Sequence, residues 1–186
     1  GDTTSGVFGR FLVARFNANG SPAGTLTPGL GAFSDGATDV VAQSDGKIVV
    51  GGFASDGIQP QFALARFNAG GGFDTSFDGD GRVFTTVGAG FSNVEGLALQ
   101  ADGKIVAVGR AVSSVNGSFE FGVARYTTDG SLDASFGTGG KVELDLSPAS
   151  DQPFAAGVQP DGKIVVAGTT FNTLTSTSDL AVVRLH

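Results

Sequence analysis

Asp45-Gly46-Lys47-Ile48-Val49 recurs at 102–106 and again at 161–165 in this chain of 186 residues. A recurrence interval of 57 to 59 residues is typical of repeat architectures. Asp-Gly between apolar runs is a strong hairpin signal, because a type I′ turn needs positive φ at its central residues and glycine adopts it without steric cost. Each copy therefore predicts a tight β-hairpin.

Four strand-like segments recur around each hairpin. The first two are rich in β-branched residues and flank the turn, at 39–43, 94–100 and 154–159 before it and at 47–50, 104–108 and 163–167 after it. The third segment appears four times, at 11–16, 62–67, 121–126 and 180–185. The fourth lies at 83–87 and 142–146, with a weak counterpart at 25–27. The repeat unit is thus predicted to have four antiparallel strands.

The third segment is apolar on both of its alternating faces, which predicts a sheet that is covered on both sides. The 31 glycines and 16 phenylalanines suit short strands and sharp turns rather than helices. These features predict an all-β protein, a β-propeller of four-stranded antiparallel blades with about three blades per chain. We expect one repeat domain over 1–186, with a partial blade at 1–30 and repeats at about 37–87, 94–146 and 153–186.

One further run of sequence carries a family resemblance. It extends from Phe121 through Asp129-Gly130-Ser131-Leu132-Asp133-Ala134-Ser135-Phe136-Gly137 and 140–142 to the third hairpin at 158–168. This run resembles the delta-60 repeat family, and the resemblance covers nearly the whole chain. It implies a bacterial, largely exported β-propeller protein and carries over no catalytic residue. The first copy departs from the pattern, since Gly20-Ser21-Pro22-Ala23 replaces the Leu-Asp-x-Ser-Phe-Gly element.

Three hairpins are fewer than the four to eight blades of a closed propeller, so two blade faces of a lone chain are expected to be bare. One third-type strand is also surplus, which leaves two alternatives: strand addition to another chain, or a segment of a longer array. We expect a homo-oligomer or strand exchange, with two chains and six blades as the preferred closed form.

Composition narrows the classes of partner and compartment. The net charge is −7 and the basic residues are dispersed, which argues against binding to nucleic acid. No apolar run is long enough to span a membrane. Cysteine is absent, so the redox compartment cannot be inferred. The chain begins Gly1-Asp2, which predicts a processed product or an excised piece. We expect an extracellular or cell-surface location with the signal segment removed.

A repeated arginine and a repeated aspartate are predicted to be structural. The arginine occurs at the same place in every third segment, as Arg15, Arg66, Arg125 and Arg184, and the hairpin aspartates are Asp45, Asp102 and Asp161. A charge that returns in every blade most simply pairs with a repeated acid or with turn carbonyls. The hairpin aspartates are candidates for the acid partners of these arginines, and turn carbonyls are the alternative.

Two groups of acids are candidates for chemistry. Asp74, Asp78 and Asp80 place hard oxygen ligands close together and suggest calcium, although the spacing is not that of an EF-hand; otherwise no cofactor is expected. Asp39 and Glu95, predicted at the starts of inner strands, are conceivable carboxylates for sugar hydrolysis or a lyase reaction. The only histidine is the last residue, which makes a catalytic triad implausible.

Aromatic residues outside the repeated positions are candidates for a contact surface. Phe33, Phe53 and Phe171 lie in segments predicted to be irregular, and exposed aromatics on propeller rims stack on sugars or peptides. Phe67, Phe77, Phe84 and Phe136 are predicted to belong to the core. The chain is therefore expected to be a non-catalytic module in scaffolding, adhesion or self-assembly. The alternative is a lectin-like propeller that binds carbohydrate with or without calcium, and a hydrolase or lyase is the third candidate.

Overall fold

The computed structural model describes residues 12–26, 29–30, 34–55 and 57–186, which contain thirteen β-strands and no helix. The strands are β1 (Val13–Phe16), β2 (Pro22–Leu26), β3 (Ser34–Ala42), β4 (Ile48–Ser55), β5 (Pro60–Phe67), β6 (Arg82–Thr85), β7 (Ser92–Leu99), β8 (Ile105–Val112), β9 (Phe119–Tyr126), β10 (Lys141–Leu144), β11 (Asp151–Val158), β12 (Ile164–Asn172) and β13 (Thr177–Leu185). Within these residues there is accordingly no helix that could cross a membrane. Phe11, Thr27 and Phe33 lie outside the described residues. The all-β prediction is confirmed.

The strands form four antiparallel sheets in which sequential strands are neighbours. The first blade is β3-β4-β5-β6, the second is β7-β8-β9-β10, and the third is β11-β12-β13. A partial blade, β1-β2, contains the counterparts of a third and a fourth strand. The four-stranded blade is thus confirmed for two repeats. The weak fourth strand at 25–27 begins earlier than predicted, at Pro22, and pairs with β1.

The hairpins form at the repeated Asp-Gly, but the predicted turn type is wrong. Gly46 has a φ of 83°, whereas Asp45 is not in the positive-φ region. Gly46 donates its N–H to Gln43 O at 3.0 Å, and Gln43 donates to Lys47 O at 2.8 Å, which defines a three-residue loop with a bulge. Asp45 keeps an ordinary backbone because its Oδ1 accepts the Lys47 N–H at 3.1 Å. The other two hairpins have the same hydrogen bonds.

The blades stack face to face along the chain. A core that includes Phe62, Leu64 and Tyr126 fills the space between the first and second blades, and one that includes Phe121 and Ile164 fills the space between the second and third. A third cluster packs the partial blade on the first blade. The innermost strand β7 packs between β3 and β11. Each blade therefore buries both sheet faces only where a neighbouring blade covers it.

Candidate functional site

The repeated arginine lies at the centre of a charged cluster in each complete blade. Arg66 Nε donates to Asp74 Oδ2 at 2.7 Å, and Lys47 Nζ lies 3.0 Å from the same oxygen. Ser76 Oγ donates to Asp74 Oδ1 at 2.8 Å, and the guanidinium lies 4.6 Å from the centre of the Phe77 ring. The cluster thus joins the hairpin, the third strand and the loop that follows it.

The second blade repeats this geometry. Arg125 Nε donates to Asp133 Oδ2 at 2.8 Å, Lys104 Nζ lies 3.2 Å from that oxygen, and Ser135 Oγ donates to Oδ1 at 2.7 Å. The guanidinium again lies 4.6 Å from a ring centre, that of Phe136. We call these two groups the arginine clusters.

The hairpin aspartates, which were the candidate acid partners, do not bind the arginines. Asp45, Asp102 and Asp161 pair instead with the lysine two residues further along, at 3.6, 3.4 and 2.6 Å. The aspartate that the arginine meets is eight residues further on, because the loop folds back and Asp74 donates its N–H to Arg66 O at 2.8 Å. The donors of Arg66 and Arg125 bind acids within the fold, and Arg66 and Arg15 bind turn carbonyls as well.

The arginines also connect neighbouring blades. Arg66 Nη1 donates to Thr128 O in the loop after β9, and Arg15 Nη2 donates to Ala69 O at 2.6 Å in the corresponding loop after β5. Residue 23, eight positions after Arg15, is an alanine, so this arginine has no aspartate there. The contact from one blade to the turn of the next therefore recurs even where the pair within the blade is missing.

Burial of the arginine follows the presence of a next blade. The side chain of Arg66 is 6% exposed and that of Arg125 is 14% exposed, while Arg184 on β13 is exposed. Arg184 thus has the place of the other arginines in its strand without their surroundings in this chain.

The aspartates of the arginine clusters have lowered pKa values. Burial opposes ionisation of Asp74, but hydrogen bonds from Lys47 and Ser76 and the charge of Arg66 outweigh it and hold the pKa of Asp74 well below its usual range. At Asp133 the hydrogen bond from Ser135 is the largest cause, followed among the stabilising contacts by Lys104 and Arg125, and the pKa is lowered in the same way. Both carboxylates are ionised at neutral pH, as structural anchors rather than proton donors.

Asp74, Asp78 and Asp80, the acids proposed as a calcium site, have separate partners. Asp74 is held by its cluster, whereas Asp80 Oδ2 accepts from Arg82 Nη2 at 2.7 Å and its Oδ1 accepts the Arg82 N–H. Asp78 has a φ of 51° and donates its N–H to Asp129 O at 2.7 Å, across to the next blade. No group of three or more potential metal ligands occurs within the described ranges. The predicted ligand set is therefore not assembled by this loop.

Asp39 and Glu95, the two carboxylates considered for hydrolysis, make different hydrogen bonds. Asp39 Oδ2 accepts the N–H of Leu97 at 2.7 Å, which ties β3 to β7. Glu95 Oε1 accepts from Asn93 Nδ2 at 2.9 Å and from Arg110 Nε at 3.2 Å. Both lie within their strands rather than at the starts, and they are not equivalent, since Glu95 lies in the bulge of β7 and Asp39 just after the bulge of β3.

The aromatic candidates fall in different environments. Phe53 is half-buried in β4 and packs over Gly36 of the neighbouring strand. Phe171 is 39% exposed near the end of β12. Both are in strands, so the prediction of irregular segments is wrong. Phe67, Phe77 and Phe136 are buried as predicted, but Phe84 is 42% exposed, which corrects its assignment to the core.

Phe171 lines a groove of about 350 Å³ between the second and third blades. The groove also contains Arg110, Phe119, Gln152 and Ser178. Sequence reasoning missed Phe119 because the start of β9 was placed at residue 121, so the two rings were not expected on one rim. Phe171 is thus a predicted aromatic contact residue that the structure places beside polar side chains in a groove.

The third blade exposes apolar side chains at positions that are buried in the first and second blades. Leu180 is 80% exposed and Val182 is 62% exposed, although their counterparts in the first and second blades, found from the strand registers, are fully buried: Phe62, Leu64, Phe121 and Val123. We call this surface of β12 and β13 the front face. Sequence reasoning predicted bare faces, and alignment of the third segments would have located these residues.

The partial blade also exposes apolar side chains at positions that are buried in the other blades. Leu12 and Phe16 of the partial blade are 59% and 64% exposed. Phe16 follows the repeated arginine directly, as Phe67 and Tyr126 do, and those two rings are at most 2% exposed. We call the surface formed by Leu12, Ala14 and Phe16 the rear face. The chain thus exposes one front face and one rear face of the same repeated interface.

A family model described as "Domain of unknown function (DUF5122) beta-propeller" matches residues 43–77, 100–136 and 159–186, together more than half of the chain. The chain belongs to this family. The first two matches of the DUF5122 β-propeller model run from the glutamine before the hairpin to the phenylalanine of an arginine cluster. The ends of those segments are joined in space by Lys47–Asp74 and Lys104–Asp133. No curated protein matches the chain.

Proposed function

We propose that this chain is a non-catalytic β-propeller module that acts in scaffolding, adhesion or self-assembly through its exposed blade faces. The observation that carries the proposal is the front face, where Leu180 and Val182 are exposed at positions that are fully buried in the other blades. Covering one such side chain contributes roughly 1.5–3 kcal/mol. A contiguous apolar surface of this kind is typical of an interaction site.

The setting that we propose for this module is outside the cell. The run from Asp129 to Gly137 resembles delta-60 repeats, which are largely exported. The arginine clusters use their charged groups on one another and on turn carbonyls, which is compatible with a role in holding the blades rather than in chemistry. Fractionation of the source cells tests the location, and recovery of the protein in the cytosol would contradict it.

Association in solution tests the proposed function. We expect light scattering over a concentration series to give a mass above the 18.6 kDa of one chain, because exposed apolar faces are covered by association. The variant Leu180→Asp should shift the mass toward that of one chain, while Leu174→Asp, which changes a leucine 95% exposed in the loop before β13, should not. A folded protein of one-chain mass at all concentrations would overturn the proposal.

The groove beside Phe171 supports a second candidate function, the binding of a carbohydrate. Phe119 and Phe171 supply ring faces, and Arg110, Gln152 and Ser178 supply hydrogen-bonding groups, which is the combination that sugar sites use. We expect a glycan array to give a hit whose signal falls at least about tenfold in Phe171→Ala. Phe154→Ala, which removes a half-exposed ring of β11, is the control.

The same array also tests the calcium-assisted form of this candidate. Repeating it with calcium and with a chelator would separate a metal-assisted site from a metal-independent one, and an equal signal in both conditions would contradict the assisted form. An array without hits would contradict carbohydrate binding itself.

A further inference from the structure

The front face and the rear face are the two halves of one interface that the chain uses internally. In the second blade Phe121 and Val123 are buried by the third blade, whose contributions include Ala181, Val183 and Leu185. The residues of the partial blade that correspond to those three, counted from the repeated arginine, are Leu12, Ala14 and Phe16. The rear face therefore has the residue positions that cover a front face elsewhere in the molecule.

We infer that the front face of the third blade binds the rear face of the partial blade of a second copy of this chain, in a head-to-tail contact. The inference rests on the proposed function and names its partner and geometry. A second copy fits because both faces are apolar and exposed and because they are continuous with a blade interface already present in the chain. Leu180 and Val182 would then pack near Leu12 and Phe16 of the second copy.

A two-stranded sheet covers part of a blade face in this fold, although it leaves Val40 of the first strand 56% exposed. The front of β1-β2 already packs on the first blade, where Val13 contacts the cluster that contains Val50, Ala65 and Phe67. The head-to-tail contact would use the other side of the same sheet. Both sides of the partial blade would then be in contact with a blade, as both sides of the second blade are.

The arginine contacts between blades specify the register. Arg15 donates to Ala69 O and Arg66 donates to Thr128 O, in both cases to the turn after the third strand of the next blade. Arg184 is the exposed member of this series. In the proposed contact, Arg184 donates to the carbonyl of Ala18 of the second copy. Ala18 follows Asn17 directly in its turn, just as Ala69 follows Asn68.

The two turns are built alike, which supports this correspondence. Gly20 donates to Asn17 O at 2.8 Å and Asn17 donates to Ser21 O at 2.9 Å. Gly71 donates to Asn68 O at 2.8 Å and Asn68 donates to Gly72 O at 3.0 Å. The carbonyl after the asparagine therefore has the same place in both loops. In the proposed contact, the front face of one copy binds the rear face of the next copy, so the two surfaces differ. Such a heterologous contact propagates into a ring or a filament.

Cross-linking between single-cysteine variants tests the head-to-tail contact, since the chain has no cysteine of its own. Leu180→Cys with one affinity tag is mixed with Phe16→Cys with another tag, and a short bis-maleimide is added. We expect the product that contains both tags to exceed each product with a single tag by at least about fivefold, because only the mixed pair brings front to rear. Leu174→Cys replaces Leu180→Cys in the control and should give no such excess.

Each outcome separates the contact from the proposed function. If the wild-type chain associates but Leu180→Cys cross-links mainly to itself, the front faces meet each other and the head-to-tail contact is overturned while the proposed function stands. Association without any cross-link from Leu180→Cys indicates another surface, such as strand addition at the edge of β13, and overturns it equally. If the wild-type chain remains single, both fail. A second measurement, Arg184→Ala, should weaken association about three- to tenfold.

Discussion

Replacing Gly109 with alanine is expected to lower the free energy of unfolding by about 3 kcal/mol. An added Cβ would lie 1.9 Å from the carbonyl oxygen of Asn93 and 2.8 Å from the Cα of Val94. Both are backbone atoms of β7. Because β7 is packed between β3 and β11, it cannot move away from the added Cβ. The strand pair must therefore separate or distort.

Urea unfolding of Gly109→Ala beside Gly157→Ala provides the measurement and its control. Gly157 lies in β11, and a Cβ there meets no atom within 4 Å, so the control should change stability by less than about 0.5 kcal/mol. Equal stability of the two variants would contradict the close approach of β7 to β8 at this residue.

The same close approach recurs in every blade. Gly52, Gly109 and Gly168 each lie five residues after the hairpin lysine, and an added Cβ would lie 1.9 to 2.2 Å from a carbonyl oxygen of the first strand. A β-bulge in the first strand lies beside each glycine. The spacing of these glycines is visible in the sequence, but the reason that glycine is needed there is not. A bulge arises from the pairing of two strands and cannot be recognised in the sequence of either strand alone.

The strands and hairpins were predictable because their signals are local. The alternation of apolar residues and the position of Asp-Gly fix where each strand and turn lies, and these predictions are confirmed in all three hairpins. The turn type depends on a competing local contact, the Asp45 carboxylate with the Lys47 N–H, that a dipeptide preference does not include.

The partner of the repeated arginine was not predictable from recurrence. The hairpin aspartates recur three times and were the natural choice, whereas the true partner recurs only as Asp74 and Asp133. In the partial blade that position is Ala23. The pairing depends on a loop that folds back by eight residues, and only the path of the backbone shows it.

Replacing Arg66 with alanine is expected to lower the free energy of unfolding by about 3 kcal/mol. The substitution leaves Asp74, a carboxylate that is almost fully buried, without its closest cation, and it removes the hydrogen bond to Thr128 O in the second blade. Stacking on Phe77 is lost as well. Urea unfolding monitored by circular dichroism provides the measurement.

Two other arginines of the series serve as matched controls. Arg125→Ala should destabilise the fold less than Arg66→Ala, because the side chain of Arg125 is more exposed than that of Arg66. Arg184→Ala should change the stability of a single chain least, since the side chain is exposed. An effect of Arg184→Ala equal to that of Arg66→Ala would contradict this ordering.

The effect of Arg66→Ala should also depend on pH, with a sign that identifies Asp74 as the partner. The pKa of Asp74 is depressed in the folded chain, so its contribution is present above the unfolded value of 3.8 and is lost as pH falls below that value through the lower folded pKa. The stability difference between wild type and Arg66→Ala should accordingly be largest near neutral pH and shrink below about pH 4. A difference that stays constant from pH 7 to pH 2 would mean that the arginine acts by packing on Phe77 and by its bond to Thr128 O rather than through the carboxylate.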